Sequence, residues 1–216
     1  MDHITIRSFA VTLCLLLAFF GGVVSPLQAQ NPLAPDGLKV GDAAPDFTLK
    51  NVDGKLVGLR SFVESKGVIL VFTCNHCPYS VKYEDRIIAL HTMFAAKGFP
   101  VLAVNPNDTV TVPEDSFTKM QERASEKKFP FPYVIDETQA VAKKYGARRT
   151  PHVFVLLRTR TGWTVEYIGA IDDNPDDASK TESKFVEDAV NALLSGTKPE
   201  TATTKAIGCT IKWKKG

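Results

Sequence analysis

The 216-residue chain predicts an α/β fold, a central mixed β-sheet flanked by helices on both faces, and three observations carry that expectation. Two apolar runs, residues 68–73 and 99–105, are continuous rather than alternating, as in strands buried on both faces. Segments of helical period fall between the strands. Late in the chain a hairpin signal around Gly162 is followed by a last amphipathic helix, so strands of both directions are expected in one sheet. The length suits one α/β domain with extensions.

Residues 1–29 stand apart. Arg7 precedes a nearly unbroken apolar run over residues 9–24, which is short for a membrane span, and Ala29 suits cleavage before Gln30. The segment reads as a cleaved signal peptide, with an uncleaved membrane anchor as the alternative. Cys14 lies inside this run. Residues 30–37 read as an N-terminal arm, 38–195 as the folded domain and 196–216 as a tail. Residues 41–49 lead into a short strand, and Asp53-Gly54 turns it back over residues 55–59. One helical turn fits residues 60–65. After the strand at 68–73, Tyr83, Ile87, Leu90 and Phe94 recur at helical spacing, and Lys97-Gly98 ends that helix. Strand 99–105 is followed by a charged helix over 114–128, with Phe117, Met120 and Ala124 on one face. Residues 129–136 approach a short strand through prolines, and 137–145 form a helix closed by Gly146. Strands 152–157 and 163–169 and a helix over 181–194 complete the order.

Cys74-Asn75-His76-Cys77 follows directly on the first buried strand, at a junction where a helix begins. Unpaired N–H groups and the positive end of a helix dipole favour a thiolate there, which makes Cys74 the expected attacker and Cys77, placed one turn inside the helix, the resolver. His76 is positioned to carry positive charge beside Cys74, stabilising the reduced form and making the disulfide more oxidising. A solvated histidine at a helix start is the alternative. Without residues 1–29 three cysteines remain, Cys74, Cys77 and Cys209, and an odd count in an exported chain argues against a purely structural disulfide framework. A structural zinc site needs four ligands, usually from a second close cysteine pair, which the chain lacks. No metal and no cofactor are therefore expected. A soft-metal module using Cys74, Cys77, His76 and Cys209, as copper(I) would prefer, is the competing class.

The Cys-x-x-Cys at a helix head, Thr150-Pro151 before a later strand, and the lead-in at residues 41–49 together resemble the thioredoxin superfamily. Residues 45–49 (Pro-Asp-Phe-Thr-Leu), 136–139 (Asp-Glu-Thr-Gln) and 145–147 (Tyr-Gly-Ala) resemble its redoxin branch, which holds peroxiredoxins and exported thiol-disulfide proteins; the likeness spans residues 38–195. It implies that Pro151 is a cis proline and that the Thr150-Pro151 loop faces the sulfurs and binds an extended substrate. It implies protein thiols or disulfides as partners, with a second redox partner recycling the site. One departure stands out. A peroxidatic cysteine is preceded by Thr or Ser three residues earlier and Pro four before that; here Val71 and Gly67 precede Cys74, and Cys74 and Leu70 precede Cys77. Thiol-disulfide exchange is thus the expected activity and antioxidant peroxidase chemistry the alternative.

The net charge of +2 is unchanged by removal of residues 1–29, and nothing in it points to nucleic acid. A membrane is expected as a partner only if residues 1–29 are retained. His152 reads as a satisfied histidine at the start of a strand. Asp172, Asp173 and Asn174, with Asp176 and Asp177, read as a solvated loop or, alternatively, a hard-cation site. Arg148 and Arg149 either raise the positive potential at the thiolate or simply face solvent. For Cys209 a buried or free thiol is the favoured reading, with a resolving or metal-binding role at the site, or pairing with another molecule, as the alternatives.

Overall fold

The computed structural model describes Met1 and residues 37–215. The signal-peptide expectation for residues 1–29 and most of the 30–37 arm lie outside the described residues. Among the described residues no helix is long and apolar enough to cross a membrane.

Strand β4, Gly67–Phe72, is buried at every position and lies near the middle of the sheet. The order across the sheet is β1 (Ala43–Ala44), β9 (Gly162–Gly169), β8 (His152–Thr159), β4, β5 (Val101–Asn105), β6 (Tyr133–Ile135), β2 (Thr48–Asn51) and β3 (Leu56–Gly58). β4, β5 and β6 run parallel, and β8 pairs antiparallel with β4. The sheet is mixed, as expected from continuous apolar strands joined by helices and a terminal hairpin. Side-chain alternation along β4 divides the core. Ile69 and Val71 join one apolar cluster, whereas Val68, Leu70 and Phe72 join the other.

Helices α1 (Pro78–Phe94), α2 (Phe117–Glu126) and α4 (Phe185–Leu194) cover the first face. Their anchors are Tyr83, Ile87, Leu90 and Phe94 from α1, Met120 from α2, and Val186, Ala189 and Val190 from α4. Helix α3 (Ala140–Tyr145) covers the second face through Val141, Ala142 and Tyr145. Leu70 is fully buried, so Leu70→Ala is expected to destabilise the fold by about 2–5 kcal/mol. Gly67 is required by space: a Cβ there would overlap the Phe99 ring and the Leu156 carbonyl.

Two differences from the expected boundaries matter for the site. Helix α1 begins at Pro78, with Cys77 as its N-cap; Cys77 is therefore at the helix entrance and not one turn inside. Proline at the first helical position has no N–H to leave unpaired, and this fixes the start one residue after the second cysteine. The helix expected over 114–128 is split. Pro113–Asp115 form a 3-10 turn before α2, and this turn rotates Asp115 inward until it has no exposed surface.

The tail also folds onto the domain. Thr203 bridges to Ile168, the Tyr167 and Thr204 hydroxyls meet at 2.6 Å, and Ile211 joins the second apolar cluster. Strand β10, Cys209–Thr210, pairs antiparallel with β7, Arg149–Thr150, as a separate two-stranded ladder.

Candidate active site

Three segments converge where β4 ends: the loop of residues 73–77, the Thr150-Pro151 turn, and the 3-10 turn carrying Asp115. Thr73 N–H donates to the Val104 carbonyl at 2.9 Å, which holds the chain in line with the sheet just before Cys74. Both cysteines are buried, Cys74 at 2% exposure and Cys77 at 0%. The three described cysteines are thiols, not disulfides.

Thr150 ties the two sulfurs together. The Thr150-Pro151 bond is cis, as the resemblance implied, and the turn lies directly against the cysteines. The Thr150 hydroxyl is 3.2 Å from Cys74 Sγ, and the Thr150 carbonyl accepts the Cys77 thiol at 3.1 Å. One residue thus offers a donor to charge on Cys74 and an acceptor to a proton on Cys77. Ser80 Oγ lies 3.8 Å from Cys74 Sγ on the helix side.

His76 reaches Cys74 as expected, with Nδ1 at 3.6 Å from the sulfur. The same nitrogen is only 2.6 Å from Asp115 Oδ2, so the carboxylate orients the imidazole. Asp115 falls within the stretch expected as a charged helix; the 3-10 turn makes it part of the site. Its Oδ1 also accepts the backbone N–H groups of Asn75 at 2.7 Å and His76 at 3.1 Å, and its Oδ2 accepts Asn107 Nδ2 at 2.8 Å. The loop between the cysteines is therefore tied to a buried carboxylate. The Pro immediately before Glu114-Asp115 was the available sequence signal, since proline starts a short turn as readily as a long helix.

The two active-site sulfurs share one proton. Cys74 is pushed up from the ordinary thiol range by its hydrogen bond to Cys77, by burial and by the Asp115 carboxylate, while Cys77 is drawn down to about 4, chiefly by that same hydrogen bond. The expectation of a lowered Cys74 is therefore reversed, for two reasons. Cys77 occupies the helix entrance, and Asp115 opposes charge on Cys74.

Donor atoms of Cys74, His76 and Asp115 lie within 4.8 Å of one another, close enough to hold a metal ion. Of the four soft ligands considered from the sequence, Cys74 and His76 belong to this cluster, with Asp115 as a third member. Arg149 is engaged by the tail, its Nη1 donating to the Gly208 carbonyl at 2.8 Å. His152 is a satisfied strand residue: Nδ1 accepts the Arg148 N–H at 3.4 Å, and its ring lies 4.9 Å from that of Phe154. The acidic loop is knitted internally. Asp172 accepts the Tyr83 hydroxyl at 2.7 Å and Arg86 at 2.6 Å, Asp173 accepts the N–H groups of Glu182 and Ser183, and Asp176 pairs with Lys82.

The sequence profile of the AhpC/TSA family matches residues 40–173, and the chain belongs to that family. It is an oxidoreductase of the redoxin class on a thioredoxin-like fold. Among curated proteins it is 30% identical over 149 residues to a thiol-disulfide oxidoreductase named ResA from Geobacillus thermodenitrificans, covering 68% of this chain and 78% of that one. It is 26% identical to the chloroplastic peroxiredoxin Q of Arabidopsis thaliana, over 59% of each chain. Among solved structures, an uncharacterized conserved protein from Geobacillus kaustophilus is 36% identical, with a TM-score of 0.76, and the match covers 82% of this chain and 94% of that one. A hypothetical protein from Sinorhizobium meliloti 1021 is 32% identical, with a TM-score of 0.77, over 83% and 97%.

Proposed function

We propose that this protein exchanges disulfides with the thiols of exported proteins through Cys74 and Cys77. The observation that carries the reading is the double contact of Thr150, hydroxyl to Cys74 and carbonyl to Cys77. It supports a state with Cys74 charged and Cys77 protonated, which is the state ready to attack a disulfide. Both sulfurs contact Thr150; Cys77 accepts the Cys74 proton as a base, then holds it against the Thr150 carbonyl. Cys74 attacks the partner disulfide, forming a mixed disulfide and releasing one partner thiolate. Cys77 then attacks Cys74 Sγ, the Cys74–Cys77 bond forms, and the partner leaves fully reduced. With the protein starting oxidised, the same steps run in reverse.

His76 tunes the couple with Asp115 behind it; the Thr150 edge expected to take an extended substrate is paired with the tail strand β10, so a substrate reaching that edge displaces the tail. A second redox protein recycles the couple. Residues 1–29, read as a cleaved signal peptide, support export. Peroxidase activity is the alternative that the peroxiredoxin Q likeness supports, and the missing Thr or Ser and Pro frame around both cysteines weighs against it. The Cys74, His76 and Asp115 cluster supports a metal-binding reading as a second alternative. The test is a redox titration of the purified protein against glutathione, read by non-reducing peptide mapping and accompanied by metal analysis. Reversible two-electron formation of a Cys74–Cys77 disulfide in metal-free protein is the expected result. Stoichiometric metal with no reversible disulfide would sink the proposal.

A further inference from the structure

The tail strand β10 lies where the resemblance places a substrate, along the Thr150-Pro151 edge. Cys209 is directly opposite Thr150 in the antiparallel pair, where Cα atoms stand ~4.5–5.5 Å apart. Thr150 therefore adjoins all three cysteines of the domain, through its hydroxyl, its carbonyl and its backbone partner. The Cys77 thiol donates to the Thr150 carbonyl at 3.1 Å and Cys209 stands opposite Thr150 in the ladder, so the two cysteines meet at one residue, and each shifts the other's titration.

Several bonds hold this placement. Arg149 donates to the Gly208 carbonyl, the Ile211 N–H donates to the Arg148 carbonyl at 3.1 Å, and the Asp108 N–H donates to the Lys212 carbonyl at 2.9 Å. The Lys212 N–H donates to Asn107 Oδ1 at 2.9 Å, and Asn107 in turn donates to Asp115. The tail is thereby wired to the carboxylate that orients His76. Gly208 lets the backbones meet, because a Cβ there would overlap the Thr150 carbonyl.

We propose that Cys209 is a third redox thiol of this site, which attacks Cys77 in the Cys74–Cys77 disulfide and carries the oxidised state outward as a Cys77–Cys209 disulfide. The proposal rests on the thiol-exchange reading of Cys74 and Cys77 and adds a step to it. The Cys209–Cys77 bond forms, the Cys74–Cys77 bond breaks, and the electron pair leaves on Cys74. Cys74 takes up the proton that Cys209 lost, so one disulfide and one thiol stand on each side and no further oxidant is needed. The step moves the disulfide from two buried sulfurs to a partly exposed one, where a recycling protein can reach it, and it frees Cys74.

The resting state restrains the step until it is needed. Cys209 is raised to about 11 by burial and then by the hydrogen bond and charge of Cys77. Once Cys77 is in a disulfide its charge is gone; burial is left as the raising cause, with Lys212 and the Tyr79 backbone acting against it.

The experiment oxidises the full chain and its Cys74→Ser and Cys209→Ser variants with oxidised glutathione, quenches in acid, and maps disulfides by mass without reduction. Cys74→Ser is expected to yield the Cys77–Cys209 peptide in monomeric protein, and the wild type both that peptide and Cys74–Cys77. Cys209→Ser is expected to lose the first and keep the second. Should Cys74→Ser unfold by circular dichroism, the wild-type map decides alone. The proposal is overturned if oxidised wild type has intact Cys74–Cys77 with Cys209 quantitatively free, or if folded Cys74→Ser carries only glutathione adducts. Absence of Cys74–Cys77 from both wild type and Cys209→Ser would instead overturn the thiol-exchange reading itself.

Discussion

Replacing Thr150 by Val removes the one hydroxyl within 3.2 Å of Cys74 Sγ while leaving the carbonyl that accepts the Cys77 thiol. The side chain is fully buried, so water does not take the place of the lost donor. A hydrogen bond to a charged group is worth about 1.5–3 kcal/mol, and 1.36 kcal/mol corresponds to one pKa unit. Thr150→Val is therefore expected to raise the pH midpoint for alkylation of Cys74 by about 1–2 units, and to slow its alkylation at pH 7 by about 10–100-fold. Thr150→Ser retains the hydroxyl and is expected to stay near the wild-type midpoint. The assay is iodoacetamide modification of the reduced protein at a series of pH values, with Cys74 and Cys77 peptides quantified separately by mass. An unchanged Cys74 midpoint in folded Thr150→Val would refute the reasoning, as would a shift of the same size in Thr150→Ser.

Loss of the imidazole in His76→Ala is expected to raise the Cys74 pKa and make the disulfide less oxidising; a shift of ~30 mV in a glutathione titration would correspond to ~1.4 kcal/mol, and no shift would leave His76 without a tuning role. Stability should depend on His152, whose pKa is lowered from 6.5 to about 4 by burial first and then by Arg148 and Arg149. The unfolded chain binds this proton more readily than the folded one, so the contribution is full above pH 6.5 and is lost as pH falls from 6.5 to about 4, by at most about 3 kcal/mol. Urea unfolding at pH 7 and pH 4.5 should show this loss, and His152→Gln should remove much of the difference; an equal loss in the variant would assign it to other groups.

Much of the fold was legible because buried parallel strands and helices leave strong local patterns. Residues 68–72 are apolar without interruption, and Tyr83, Ile87, Leu90 and Phe94 mark the buried face of α1. The two cysteines and Thr150-Pro151 were legible as motifs, and the structure brings them into contact. Asp115 was missed because a carboxylate in a charged stretch looks alike on a helix face and in a 3-10 turn, and only the turn points it inward. The placement of Cys209 depends on pairing between residues 209 and 150, a long-range register with no local signature. Alternation at residues 208–213 and the odd cysteine count were the available hints.

The measurement closest to the central claim compares two oxidants on the reduced protein and its Cys77→Ser variant by stopped flow. Cys77→Ser removes the sulfur that resolves the mixed disulfide. The account predicts that it accumulates disulfide-linked protein partners through Cys74, and that hydrogen peroxide oxidises Cys74 slowly, at the rate of an ordinary thiolate of its pKa. Peroxide oxidation orders of magnitude faster than that of a free thiol, with no trapped partner, would contradict the account and make the protein a peroxidase.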